Sequence, residues 1–137
     1  FGFKQGASMS ASAAVALYTG LNVLIILALI WQVIGHRRRE KITLGDGGFP
    51  PLIRAIRAHA NATEVAPIAL IGLVALAMAN APLWVIHVGG LSLTIGRALH
   101  AYGLSRVEGA SFGRMVGMLL SLIALLWIGV TCVWVAF

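Results

Sequence analysis

The chain contains little charge, few acidic residues and only one cysteine. Of its 137 residues 10% are charged and four are acidic, whereas soluble domains carry about 25% charged residues. The single cysteine, Cys132, excludes an intramolecular disulfide. Because 60% of the residues are hydrophobic, most of the chain must face lipid or other helices rather than water.

Four long apolar stretches predict an all-α integral membrane protein. A helix that crosses a bilayer needs about 20 residues, and the stretches that reach this length cover about 11–34, 51–78, 83–104 and 112–136. Their short connections favour antiparallel packing in a four-transmembrane-helix bundle. We expect a single domain over residues 9–137, and residues 1–8 to be a flexible or non-native extension ahead of a start at Met9.

The basic residues predict how the bundle is oriented. Nine of the ten lie on one side of the predicted spans, and only Lys4 lies on the other. Loops rich in Lys and Arg stay in the cytoplasm, so we expect loops 36–50 and 105–111 there and both termini on the non-cytoplasmic side. The net charge of +6 needs no nucleic acid partner, since membrane lipids with anionic headgroups explain a basic cytoplasmic face.

A polar stripe opens the second span. At 100° per residue its side chains fall within about 80° of one another, and they are Arg54, Arg57, Asn61 and Glu64. His59 points to another face. Two alternatives are open. Arg54 and Arg57 would snorkel to lipid headgroups, or Arg57 and Glu64 would form a purely structural clamp. Charges at membrane depth are rare and usually functional, so the stripe predicts a site.

The third and fourth spans bring matching chemistry to the same side of the membrane. Arg97 and His100 lie one turn apart on one helical face, and Arg114 opens the fourth span. Guanidinium groups bind carboxylates bidentately and lower the pKa of a nearby thiol. We therefore predict a pocket for a small anion, including one that carries a thiol. The histidines are too scattered to predict a metal site; they are His36, His59, His87 and His100.

The motif Arg-x-His-x-Asn-x-x-Glu-x-x-Pro at residues 57–67 resembles the MAPEG family, the membrane-associated proteins in eicosanoid and glutathione metabolism. Gly-Arg-x-x-His at residues 96–100, the chain length and the four spans agree with this resemblance. Eicosanoid-type members carry tyrosines at two positions where this chain has Val65 and Leu104. The chain is therefore similar to the bacterial branch of the family.

The resemblance implies a homotrimer with a glutathione site at each protomer interface, open to the cytoplasm. The glutathione ligands that we expect on this basis and from the polar stripe are Arg54, Arg57, His59, Asn61, Glu64, Arg97 and His100. In the family the counterpart of Arg57 meets a carboxylate of the tripeptide and that of Glu64 meets its amino group. Arg114 matches the catalytic arginine that stabilises the glutathione thiolate, with Arg106 as its rival.

Three functions remain open at the level of sequence. The first is a glutathione transferase or glutathione-dependent peroxidase in a bacterial inner membrane, with glutathione as co-substrate and a lipophilic electrophile as substrate. The second is a non-catalytic module that binds glutathione or a lipophilic ligand, which agrees with the missing tyrosines. The third is a small proton-coupled efflux protein that uses Glu64, although arginines crowd one side of that carboxylate.

Overall fold

The computed structural model of the chain describes residues 8–137, and these residues form a bundle of four α-helices. The helices are α1 (Ala11–Glu40), α2 (Pro50–Met78), α3 (Leu83–Arg106) and α4 (Phe112–Trp134). The predicted all-α four-helix bundle is confirmed. Residues 1–7 lie outside the described residues, so the prediction for residues 1–8 stays a prediction.

Local sequence signals explain where the helices begin and end. The Ser10 hydroxyl accepts a hydrogen bond from the Ala13 N–H at the start of α1, as N-cap serines do. Two prolines occupy the first turn of α2, where a missing N–H does no harm. Helix α1 continues past the predicted span to Glu40 and ends at Lys41 in the left-handed conformation. Its last turn carries three arginines, which the helix dipole favours at that end.

Helices α2 and α3 form the centre of the bundle. Each packs against all the other helices, whereas α1 and α4 do not pack against each other within residues 8–137. The bundle therefore has an α1 side and an α4 side, separated by the central pair. The connections 41–49 and 107–111 lie at the same end of the bundle. We call this the basic end, because Arg37, Arg54, Arg106 and Arg114 surround it.

Glycines bring α3 and α4 into close contact at the basic end. A Cβ atom on Gly117 would collide with the backbone of α3 at His100 and Gly96, and one on Gly103 would collide with the Arg114 backbone N. Small residues of this kind let membrane helices approach closely. The first turn of α4 therefore lies directly over the last turns of α3.

The outer surface of the bundle is apolar. Among residues 8–137, three helices, α1, α2 and α4, are long and apolar enough to cross a membrane. Helix α3 falls short of that composition, and it contains His87, Arg97 and His100. Arg97 is 1% exposed and His100 is 4% exposed, so these polar groups turn into the bundle rather than toward lipid. The sidedness of the termini stays a prediction.

Candidate functional site

A cavity of about 730 Å³ opens at the basic end between α2, α3 and α4, and we call it the α4-side cavity. Its polar wall is made by Arg54, Arg57, Asn61, His100, Ser111 and Arg114. Its apolar wall is made by Ile53, Leu104, Ala110, Met115 and Met118. Five of the eight site residues predicted from the sequence therefore line one cavity.

Three guanidinium groups line this cavity. Arg54 and Arg57 come from the first turns of α2, and Arg114 comes from the first turn of α4. The Ser111 hydroxyl accepts a hydrogen bond from the Arg114 N–H at 3.2 Å, so the N-cap of α4 fixes the arginine's backbone. Arg114 also donates from Nη1 to the Gly109 carbonyl at 3.2 Å.

The two arginines of α2 differ in their partners. Arg54 donates from Nη1 to the Glu108 carboxylate at 2.8 Å, and Glu108 is 77% exposed. Ion pairs this exposed to solvent contribute little to stability. The Arg57 side chain is exposed and donates no hydrogen bond to another residue within 8–137. Among residues 8–137 no acidic side chain lines the cavity, so it presents a net positive surface to a ligand.

The floor of the cavity is a hydrogen-bonded network centred on Arg97. This arginine donates from Nε to the Ser121 hydroxyl at 2.8 Å and from Nη1 to the Asn61 Oδ1 atom. Ser121 in turn donates to the Gly117 carbonyl at 2.7 Å. Because only the oxygen of an amide accepts from an arginine, Asn61 is held with its NH₂ group free to donate.

Arg97 therefore lies beneath the cavity and not on its wall. Its prediction as a direct glutathione ligand stays untested, but its contacts are those of a residue that orients Asn61. Sequence reasoning missed Ser121 as its partner. The available signal was a serine inside an apolar helix, one helical turn from Gly117, since such serines hydrogen-bond within the bundle.

His100 connects the floor to α4. Its Nδ1 atom lies 3.1 Å from the Arg114 carbonyl oxygen. A carbonyl only accepts, so Nδ1 carries the proton and donates, which leaves Nε2 able to accept. His100 thus ties the last turns of α3 to the turn of α4 that carries Arg114.

The structure leaves two of the predicted residues away from the cavity. His59 is half-buried, and Glu64 is exposed on the side of α2 opposite its buried residues. The alternative of an Arg57–Glu64 clamp is not seen within residues 8–137, whose one ion pair joins Arg54 to Glu108.

The rival arginine, Arg106, lies on the α1 side. Its guanidinium sits over the Tyr102 ring, 5.6 Å from the ring centroid, and it does not line the α4-side cavity. Of the two arginines, only Arg114 therefore shares a cavity with Arg57 and Asn61.

The apolar wall was not predicted from the sequence. Met115 and Met118 follow Arg114 on α4, and Ile53 precedes Arg54 on α2. Methionine side chains adapt to irregular ligands because they are flexible and polarisable. The cavity thus places cations next to an adaptable apolar surface, which suits an anionic ligand that also has an apolar neighbour.

Comparison with known proteins identifies relatives of this chain. The model of the MAPEG family matches residues 15–134. The inner membrane protein YecN of Escherichia coli strain K12 is 39% identical over 88 residues, which cover 64% of this chain and 67% of that protein. YecN of an E. coli O6:H1 strain matches to the same extent.

Proposed function

The chain belongs to the MAPEG family of membrane proteins, and we propose that its α4-side cavity binds glutathione and activates the thiol for reaction with lipophilic electrophiles. We further propose that the protein resides in a bacterial inner membrane, as the name of its relative YecN states for that protein. The cavity would then open toward the cytoplasm.

The observation that carries this proposal is the convergence of three guanidinium groups and one oriented amide on a cavity without an acidic wall residue. Glutathione has two carboxylates and one amino group, so it is a net anion at neutral pH. Guanidinium forks match carboxylates in geometry and charge. The volume of about 730 Å³ lies within the range of about 300–1,000 Å³ that is usual for small-molecule sites.

Arg114 is the group that we assign to the thiol. A thiol next to a guanidinium ionises more readily, and the thiolate is the nucleophile. The thiol proton passes to solvent, and the sulfur attacks an electrophilic carbon. A C–S bond forms while the leaving group departs with its electron pair. With a hydroperoxide as acceptor, two glutathiones would instead become the disulfide while the hydroperoxide is reduced to an alcohol and water.

The lipophilic acceptor would lie against the apolar wall. Leu104, Met115 and Met118 line the cavity beside the cations. An acceptor dissolved in the bilayer could reach this wall without crossing water, and holding both reactants in one cavity lowers the entropic part of the barrier.

A homotrimer would complete the site. Glu64 is exposed on a helix that is long and apolar enough to span a membrane. A carboxylate that faces lipid is unfavourable, and such residues usually face protein. We propose that Glu64 faces a neighbouring copy, where it meets the amino group of glutathione as the family resemblance implies, and that His59 contributes from a protomer interface.

A second candidate function is binding without chemistry. Leu104 stands on the cavity wall where eicosanoid-type relatives carry a tyrosine, so this site lacks that hydroxyl group. Turnover of a reactive aryl halide separates the two functions. Glutathione binding with measurable conjugation supports the transferase, and glutathione binding without conjugation supports a protein that binds its ligand without chemistry.

Thermal unfolding of the detergent-solubilised protein with and without glutathione tests the binding itself. A ligand at 100 times its dissociation constant stabilises the folded state by about 2.7 kcal/mol. We expect a higher unfolding temperature for the wild type, a shift that is lost in Arg57→Gln. Arg38→Gln is the matched control, because Arg38 is exposed and lines none of the cavities described. Equal shifts in both variants would contradict the proposal.

A further inference from the structure

A second cavity lies at the basic end on the other side of the central helices. It has a volume of about 400 Å³ and is enclosed by α1, α2 and α3, and we call it the α1-side cavity. Four basic side chains line it, and they are His36, Arg39, Arg54 and Arg106. In the part of the chain that the structure describes, no acidic side chain lines it. Like the α4-side cavity, it presents positive charge to a ligand.

Polar atoms without partners concentrate in the α1-side cavity. Five buried side-chain N or O atoms in residues 8–137 have no hydrogen-bond partner. Three of the five belong to residues that line this cavity: Gln32 Oε1, Arg54 Nε and Ser105 Oγ. A buried polar atom without a partner is unfavourable, and each such atom in a native structure calls for an explanation. A bound anion with hydroxyl groups would satisfy both donors and the Gln32 acceptor.

An apolar trough lies next to the α1-side cavity. Gln32 also lines a smaller cavity of about 210 Å³ between α1 and α3, whose remaining lining includes Ile25, Ala28, Ala98 and Tyr102. Gln32 borders both cavities, so they are neighbours, with the cations on one side of it and apolar side chains on the other. A free phosphate ion would use only the first of them.

We call the α1-side cavity and the trough together the groove, and aromatic residues flank it. Trp31 is 61% exposed and lines the α1-side cavity, and Tyr102 is 66% exposed and lines the trough. Trp and Tyr concentrate at the level of lipid headgroups. Along the groove, charged residues are followed by interfacial aromatic residues and then by apolar side chains. A phospholipid has the matching order of charged headgroup, interfacial region and acyl chain.

We propose that this groove is a specific site for an anionic phospholipid. The phosphodiester lies among Arg39, Arg106 and His36 and accepts from Arg54 Nε and Ser105 Oγ. A headgroup hydroxyl donates to Gln32, and an acyl chain follows the trough between α1 and α3. Basic pockets between membrane helices on the cytoplasmic side bind anionic headgroups in this manner. The lipid would occupy the α1 side while the proposed glutathione site occupies the α4 side.

Native mass spectrometry of the intact oligomer tests this site with phosphatidylglycerol as the probe. Phosphatidylcholine with the same acyl chains serves as the zwitterionic comparison. We expect phosphatidylglycerol to bind at least tenfold more tightly, and Arg39→Gln/Arg106→Gln to remove that preference. Arg38→Gln is the control for lost charge at the same end. Arg54 is left intact because it lines both cavities.

A second variant separates a lipid site from a simple phosphate site. Ala98 is exposed and lines the trough, so Ala98→Phe fills the trough without changing any charge. We expect it to weaken phosphatidylglycerol binding at least fivefold. Glycerol phosphate and inorganic phosphate, which have no acyl chain, should compete poorly with the lipid.

Three results would overturn the proposal. One is equal binding of the two lipids by the wild type. Another is an Arg38→Gln variant that loses as much of the preference for phosphatidylglycerol as the double variant does, which would indicate a diffuse basic surface. The third is an Ala98→Phe variant that binds phosphatidylglycerol as tightly as the wild type while inorganic phosphate displaces the lipid. That result would assign the cavity to a free anion.

Discussion

The α4-side and α1-side cavities carry the same kind of charge in different surroundings. Both open at the basic end, both are lined by arginines, and they share Arg54. The α4-side cavity has a hydrogen-bonded floor, in which Arg97 fixes Asn61. The α1-side cavity has two unpartnered polar atoms that are not shared with the α4-side cavity, Gln32 Oε1 and Ser105 Oγ, and it borders an apolar trough. The floor of the α4-side cavity leaves one such atom, Arg97 Nη2. Basic residues alone therefore do not identify a ligand, and the surroundings of the charge do.

Helix packing explains this difference. Helices α3 and α4 meet through glycines, with Gly117 against the α3 backbone, and this close contact builds a rigid floor. Helices α1 and α3 meet at the trough through small side chains that include Ala28 and Ala98, which leave space between them. The first arrangement can orient a small molecule, and the second can hold a chain.

The largest effect on stability and binding should come from breaking the close contact between α3 and α4. A Cβ atom on Gly117 would meet backbone atoms of α3, whereas one on Gly129 of the same helix would meet nothing within 4 Å. We expect Gly117→Val to reduce the free energy of unfolding by about 1–3 kcal/mol and to abolish glutathione binding, because Arg114 would move away from Arg57. Gly129→Val should do neither.

Thermal unfolding and glutathione binding measured in detergent for both glycine variants would check this expectation. Phosphatidylglycerol binding should survive in Gly117→Val, since the α1-side cavity does not involve α4. A Gly117→Val protein as stable as Gly129→Val would show that the close α3–α4 contact is not what shapes the α4-side cavity.

The next effect concerns the two rival arginines, which the structure separates into different cavities. We expect Arg114→Ala to abolish the thiolate absorbance that appears when glutathione binds, while glutathione is still retained. Loss of one guanidinium contact to an anion changes the ionisation equilibrium of the bound thiol by about tenfold or more. Arg106→Ala should leave the thiolate signal intact. Stopped-flow absorbance measures both, and the reverse pattern would assign the role to Arg106.

The smallest effect should come from Glu108. Its carboxylate pairs with Arg54 at 2.8 Å but is 77% exposed, and pairs of this kind contribute about 0.2–1 kcal/mol. We expect Glu108→Gln to tighten glutathione binding by only about two- to threefold, because Arg54 then meets the ligand without competition. Isothermal titration would detect this change, and weaker binding would show that Glu108 supports the site instead of competing with the ligand.

The sequence was sufficient to predict the four helices and much of the polar wall. Apolar length is enough to define α1, α2 and α4 as candidate membrane helices, whereas α3 falls short of that composition. Helical spacing placed Arg54, Arg57 and Asn61 on one stripe, which the structure brings into one cavity. The relation of Arg97 to Ser121 was not predictable, because it depends on how α3 and α4 pack. The α1-side cavity was missed for the same reason, since its residues come from three helices.

Glu64 and His59 show a different limit of the sequence. Helical spacing puts Glu64 on the same face of α2 as Arg57, and both side chains are exposed. Glu64 lies two turns further along the helix, however, and neither it nor His59 lines the α4-side cavity. The family resemblance assigns both residues to an interface between protomers. Spacing along one helix cannot describe a contact with a second copy, so their roles stay predictions that depend on the proposed trimer.

Photo-cross-linking with a glutathione derivative that carries a photoreactive group on its sulfur tests the central claim most directly. We expect labelled peptides from residues 53–61 and 111–118, which line the α4-side cavity. Excess glutathione should suppress the labelling, and phosphatidylglycerol should leave it unaffected. Labelling confined to residues 31–39 and 105–106, which line the α1-side cavity, would contradict that claim.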